Sequence, residues 1–323
     1  FAPMSEPTPP ELAPQIAACT PEPAAPGMGL GVVAVPVGRW SRLRAHPAFA
    51  IFITIFAIWV GWNVAWLVEA LWAALAELDR EETVPFSILT LASQGTAVAV
   101  VWLASGRLPH ERKEALALRR SPLPQGQLVY VAFASIGLHN LWCYIQDWLG
   151  AMGGDAGEVP TAQALHDVSA ATAGLAPWLV LIATTVLVAA CEEICFRGYL
   201  MRRLQSRWSV ATGVGVSAFV FATAHLHPTH VVSVLPVGVW LGYLAWKTNS
   251  TMTSIVGHAA VLLFIDAEHI LARALGSDAR RDSTELVALW GLSILFGVWS
   301  TIRVVKTLEA GPRDQPWTPK QGA

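Results

Sequence analysis

Charge is what this sequence has least of. Only 14% of its 323 residues are Asp, Glu, Lys or Arg, against about 25% in an ordinary soluble domain. The 21 basic and 23 acidic residues leave a net charge of -2, so no excess of positive charge is available to hold a nucleic acid, and none is expected as a partner. Cysteine is also scarce. Cys19 sits in a Pro-rich stretch, Cys143 in an apolar run, and Cys191 and Cys195 in another, a scatter that fits no disulfide framework. No repeat of fixed period is present, and nothing marks a second folded domain.

Apolar sequence is abundant. Hydrophobic residues make up 54% of the chain, with 15 Trp, and the mean hydropathy is +0.48. These values describe an integral membrane protein in contact with a lipid bilayer. Crossing a hydrocarbon core of about 30 Å takes roughly 20 apolar residues as helix. Eight runs approach that length: Ala48 to Val68, Pro85 to Ala104, Leu128 to Trp148, Pro177 to Arg197, Val210 to Leu226, Val231 to Trp246, Ser254 to Leu271 and Leu286 to Ile302. The expected fold is an all-α polytopic membrane helix bundle of about eight transmembrane helices. The fifth to seventh runs are short and carry His225, Pro236 and His258, as expected of helices lining a polar chamber inside the protein.

Residues 1–47 form a Pro/Ala-rich leader expected to be disordered. The membrane domain covers 48–303, and 304–323 read as a tail. Lys and Arg in short flanks mark the cytoplasmic side. Eight spans put only Arg80, Arg273, Arg280 and Arg281 on one side and the other 17 of the 21 on the opposite side. Both termini are therefore expected in the cytoplasm, and a bacterial inner (plasma) membrane is the expected location.

Three clusters carry potential chemistry. The fourth run ends Cys191-Glu192-Glu193-Ile194-Cys195-Phe196-Arg197. An ionisable group at membrane depth costs about 2.5–3.5 kcal/mol on insertion scales, so an acidic doublet there requires partners or a use. Arg197 follows Glu193 by one helical turn and can pair with it; Glu192, about 100° round the helix, is free to face elsewhere. Read alone, the doublet could simply anchor a helix end. In the fifth run Phe221 and His225 share one face. His227 and His230 follow, but residues two apart do not share a helix face and Pro228 interrupts the helix, which argues against a three-His metal site. In the seventh run His258 stands among Gly257, Ala259 and Ala260, small neighbours that permit close helix packing.

In this order, the Glu doublet with its Arg, the Phe and His on the next run, and the later His resemble the CPBP family of intramembrane proteases. That family includes CAAX prenyl endopeptidases and bacteriocin-processing or self-immunity proteins. The resemblance covers roughly Pro177 to Asp266, within a core of about 177–270, and includes Phe196-Arg197-Gly198-Tyr199-Leu200 and the turn Thr248-Asn249-Ser250. It implies an endopeptidase acting on a membrane-associated protein or peptide. Glu192 would activate a water, His225 would hold that water, and His258 would donate to the oxyanion. Glu193, Arg197 and Phe221 would support them. No cofactor is favoured; the alternative is a zinc ion on Glu192, His225 and His258. The sequence departs from the family pattern at Leu262, where a polar residue often stands four positions after the last His. Asp266, Thr253 or Asn249 could supply the missing donor. The competing expectation is a non-catalytic scaffold or immunity protein that keeps the motif for packing. Oligomeric state is open.

Overall fold

A computed structural model describes residues 46–75, 86–106, 108–153, 175–226, 228–274 and 284–310. The elements are α1 (Pro47–Leu75), α2 (Phe86–Ser105), α3 (Pro109–Ala115), α4 (Gln125–Gly153) and α5 (Leu175–Glu193). A π-helical segment (Ile194–Met201) follows, and then α6 (Arg202–Gln205), α7 (Val210–Thr223), α8 (Pro228–Thr248), α9 (Thr251–Ala274) and α10 (Thr284–Ala310). No strand occurs among the described residues, as expected of a chain whose backbone polar groups must be satisfied inside each segment. The proposed leader falls almost wholly outside the described residues, as does the tail beyond Ala310; α10 itself runs on past Ile302.

Six helices, rather than eight, are long and apolar enough to cross a membrane among the described residues. They correspond to the first, second, third, sixth, seventh and eighth expected runs. The helices of the sixth and seventh runs are longer than the sequence suggested: α8 has 21 residues and α9 has 24. The fifth is a true short helix. Ser209 caps α7, its Oγ accepting from the Thr212 N–H at 3.1 Å, and Leu226 ends the turn in the left-handed region at φ 57°. The 14 residues between span roughly 21 Å, less than a hydrocarbon core. The fourth run is helical from Leu175 and does not stop at its charges. It continues through the π-helical segment into α6.

Outward faces are apolar. Trp59 and Trp66 of α1, Leu103 of α2 and Leu292 and Leu295 of α10 are all exposed, the surface that a lipid environment would cover. Inward, α1 and α2 pack together, α4 packs on α9 and α10, and α9 also packs on α5. A core of Ala57, Ala97, Val101, Phe196, Tyr199, Leu200 and Phe221 joins α1, α2, the π-helical segment and α7. Gly137 and Gly297 let α4 and α10 touch backbone to backbone: a methyl on Gly137 would strike the Cα of Gly297 and lie 2.7 Å from the Ser293 carbonyl. Asn140 adds a 2.7 Å hydrogen bond to Ser293 Oγ beside that contact. Small residues thus substitute close packing for a hydrophobic driving force that lipid cannot supply.

One end of the bundle is tied by polar contacts. Asn249, at φ 49°, turns α8 into α9, and its Oδ1 accepts from Arg202 at 2.9 Å. Ser250 donates to the Arg119 carbonyl at 2.7 Å and Thr251 to that of Leu116 at 2.6 Å. Ten residues separate Glu192 from Arg202, so the acidic doublet lies about 15 Å further in.

Candidate active site

The innermost pair is Glu193 and Arg197, both with fully buried side chains. Arg197 Nη1 donates to Glu193 Oε1 at 2.6 Å. A second guanidinium nitrogen donates to the Gly238 carbonyl of α8 at 2.9 Å, and the guanidinium carbon lies 4.4 Å from the centre of the Phe221 ring. Arg197 therefore fastens three elements, and its charge is answered by a carboxylate, a carbonyl and a π face. It sits in the π-helical segment, a conformation that concentrates at functional sites.

The sequence pairs Glu193 with Arg197 alone; the structure adds His258. His258 Nδ1 lies 2.9 Å from Glu193 Oε1, and because a carboxylate only accepts, that nitrogen carries the hydrogen. The other ring nitrogen is thereby turned towards Glu192, with Nε2 3.7 Å from Oε2, beyond hydrogen-bond reach. Glu192 is the less enclosed of the two acids, its side chain 15% exposed. The neighbouring carboxylates thus have different environments: Glu193 is locked between a guanidinium and an imidazole, and Glu192 is accessible.

Phe221 forms the floor. Its ring meets those of His225 and His258 edge-on at 5.1 and 5.6 Å between centroids, and that of Phe196 at 5.1 Å. His225 Nδ1 lies 3.0 Å from the Phe221 carbonyl, which can only accept, so Nδ1 carries a hydrogen. Glu192, Glu193, Arg197, Phe221, His225 and His258 are thus linked through one cluster of contacts. His227 lies outside the described residues, and the side chain of His230 does too.

The residues offered as substitutes at Leu262 are engaged elsewhere. Asn249 accepts from Arg202, Thr253 donates to Ser121 Oγ at 2.8 Å, and Asp266 accepts from Thr185 of α5 at 2.7 Å. The first two belong to the tied end of the bundle, and the third lies two turns beyond His258. Sequence reasoning missed Gln94, whose Nε2 donates to Glu192 Oε1 at 3.1 Å. A carboxamide inside an apolar span was the available signal, since such a group demands a partner.

The alternative zinc site requires Glu192, His225 and His258 to converge as ligands. Among the described residues no group of three or more His, Cys, Asp or Glu side chains is placed to hold a metal ion.

The order of these residues along the chain was the ground for the CPBP resemblance, and the comparison with family models falls on the same stretch. Residues 174–264 match the family described as Type II CAAX prenyl endopeptidase Rce1-like. The Rce1-like stretch begins beside α5 and ends within α9, enclosing both carboxylates, Arg197, Phe221 and both histidines of the cluster. It is consistent with the CPBP family. Gln94 lies outside it. No curated protein and no solved structure matches the chain.

Proposed function

We propose that this chain is an intramembrane endopeptidase of the CAAX type, hydrolysing a peptide bond of a membrane-associated substrate through a water activated by Glu192. The observation that carries this reading is the asymmetry of the acidic doublet. Within the Rce1-like stretch, Glu193 is consumed by Arg197 and His258, while Glu192 stands accessible beside them.

In the proposed step the O–H bond of a water breaks and Glu192 takes the proton. The water oxygen bonds to the substrate carbonyl carbon, and the carbonyl π pair moves to its oxygen. The oxyanion pair then re-forms the C=O bond as the C–N bond breaks, and Glu192 returns the proton to the departing amide nitrogen, leaving a carboxyl product and an amine. His225 holds that water together with Glu192. His258, held by Glu193, is the group placed to stabilise charge beside Glu192. Arg197 holds Glu193 in place, so His258 stays aimed. A prenylated C-terminus, a leader peptide and a C-terminal sorting tail are all substrates this chemistry can serve.

The mechanism needs no metal. A zinc enzyme of this kind would contain about one ion per chain, lose activity on prolonged chelation and recover it with added Zn²⁺. The expected outcome here is well under one equivalent of zinc by elemental analysis and full activity after chelation. Stoichiometric zinc that disappears in His225→Ala and His258→Ala would make both histidines ligands instead.

Orientation follows from the distribution of Lys and Arg. A reporter fused after Ala323 should be active in the form that requires cytoplasm, as should one placed at Gly38, whereas one inserted at Gly154 should report the opposite side. Opposite labelling of Gly38 and Ala323 would rule out an even number of spans.

A further inference from the structure

We propose that Gln94 is a positioning residue of this site, whose amide makes the two oxygens of Glu192 inequivalent and leaves Oε2 as the one that takes the proton. The inference rests on the reading of Glu192 as the base. Gln94 belongs to α2, and within the span Ile88–Ser105 it is the only carboxamide and no residue there is charged. A primary amide buried without a partner is costly, by about 1–3 kcal/mol on mutational scales. The other polar side chains of α2 that bond do so within their own helix: Thr96 to the Ala92 carbonyl, Ser105 to that of Trp102. Gln94 instead reaches across to α5, 98 residues away in sequence, and donates to Glu192 Oε1 at 3.1 Å.

The helix that carries it is fixed in place. Residues 94, 97 and 101 share a face, and Ala97 and Val101 on that face are buried in the core. On the other side α1 presses against the residue before Gln94, since a methyl on Gly61 would collide with the Ser93 carbonyl. The amide is therefore presented from a backbone that cannot easily retreat.

The consequence concerns Glu192. With Oε1 occupied by the Gln94 amide, the carboxylate cannot rotate freely, and Oε2 is held towards His258 Nε2 at 3.7 Å. The Gln94 amide is the donor that fixes the rotation of Glu192, whereas Glu193 has two donors of its own on one oxygen. Misplacing a reacting group by about 1 Å can cost as much as 10² in rate. Loss of the amide should thus slow the chemical step without changing what binds the substrate.

The test uses Gln94→Met, which keeps the length of the side chain and removes the amide, and Gln94→Asn, which keeps an amide one methylene too short. Purified full-length protein in phospholipid vesicles is given a prenylated C-terminal peptide, and kcat, KM and the melting temperature are measured beside wild type and Glu192→Gln. Both Gln94 variants are expected to lose about 10- to 100-fold in kcat with KM and melting temperature unchanged. Wild-type kcat in Gln94→Met, with Glu192→Gln inactive, would overturn the positioning role and leave the base assignment standing. A fall in melting temperature that accounts for the lost kcat in both variants would also overturn it, as a structural role. Turnover by Glu192→Gln, or none by wild type, would overturn the base assignment and this inference with it.

Discussion

Glu192→Gln should reduce proteolysis by about 10² to 10⁴, the usual contribution of a positioned general base, while the protein still inserts and accumulates. The substitution keeps the shape of the side chain and its ability to accept from Gln94, which bonds Glu192 Oε1 at 3.1 Å. It removes the capacity to take a proton. Accumulation should be unaffected because Glu192 is not part of the buried ion pair: that role belongs to Glu193. The neighbouring Glu193→Gln is the control. It deprives both Arg197 and His258 of their carboxylate, so protein level should fall together with activity. Quantifying membrane-fraction protein and peptide cleavage for the two variants side by side separates the roles. Equal effects on abundance would refute the division of labour between the two acids.

Arg197→Ala should be the most damaging substitution for stability. The guanidinium is fully buried, pairs with a fully buried carboxylate, donates to the Gly238 carbonyl and covers the Phe221 ring. Removing one member of a buried pair leaves an uncompensated charge, at a cost of about 3–5 kcal/mol. That is a large part of the total stability of an ordinary domain. Little mature protein is therefore expected, and what remains should melt far below wild type in detergent. Arg197→Lys should recover only part of this, because an ammonium cannot reach Glu193 and the Gly238 carbonyl with the same fork. Wild-type accumulation of Arg197→Ala would show that Glu193 is satisfied by His258 alone.

Much of this was legible in the sequence for physical reasons. Apolar runs of about 20 residues mark spans because the bilayer has a fixed thickness, and all eight runs are helical. The Glu193–Arg197 pair and the Phe221–His225 stack were readable because one helical turn brings i and i+4 together. What was not readable came from contacts between helices. No spacing rule tells that His258 Nδ1 reaches Glu193, 65 residues earlier, nor that α2 delivers Gln94 to Glu192. The length of the fifth span was not readable for a related reason: hydropathy recognises α7 as apolar but cannot see the Ser209 cap and the Leu226 turn that confine it to 14 residues. Nor does spacing show that Asn249 and Thr253 are drawn into the polar ties at the end of the bundle.

The most direct test of the central claim is cleavage of a membrane-anchored prenylated peptide by the purified protein in vesicles, followed by mass spectrometry with Glu192→Gln in parallel. The account predicts two product fragments from wild type, in a buffer containing chelator, and uncleaved peptide with a folded Glu192→Gln protein. Equal product from both proteins, or none from wild type, would contradict it.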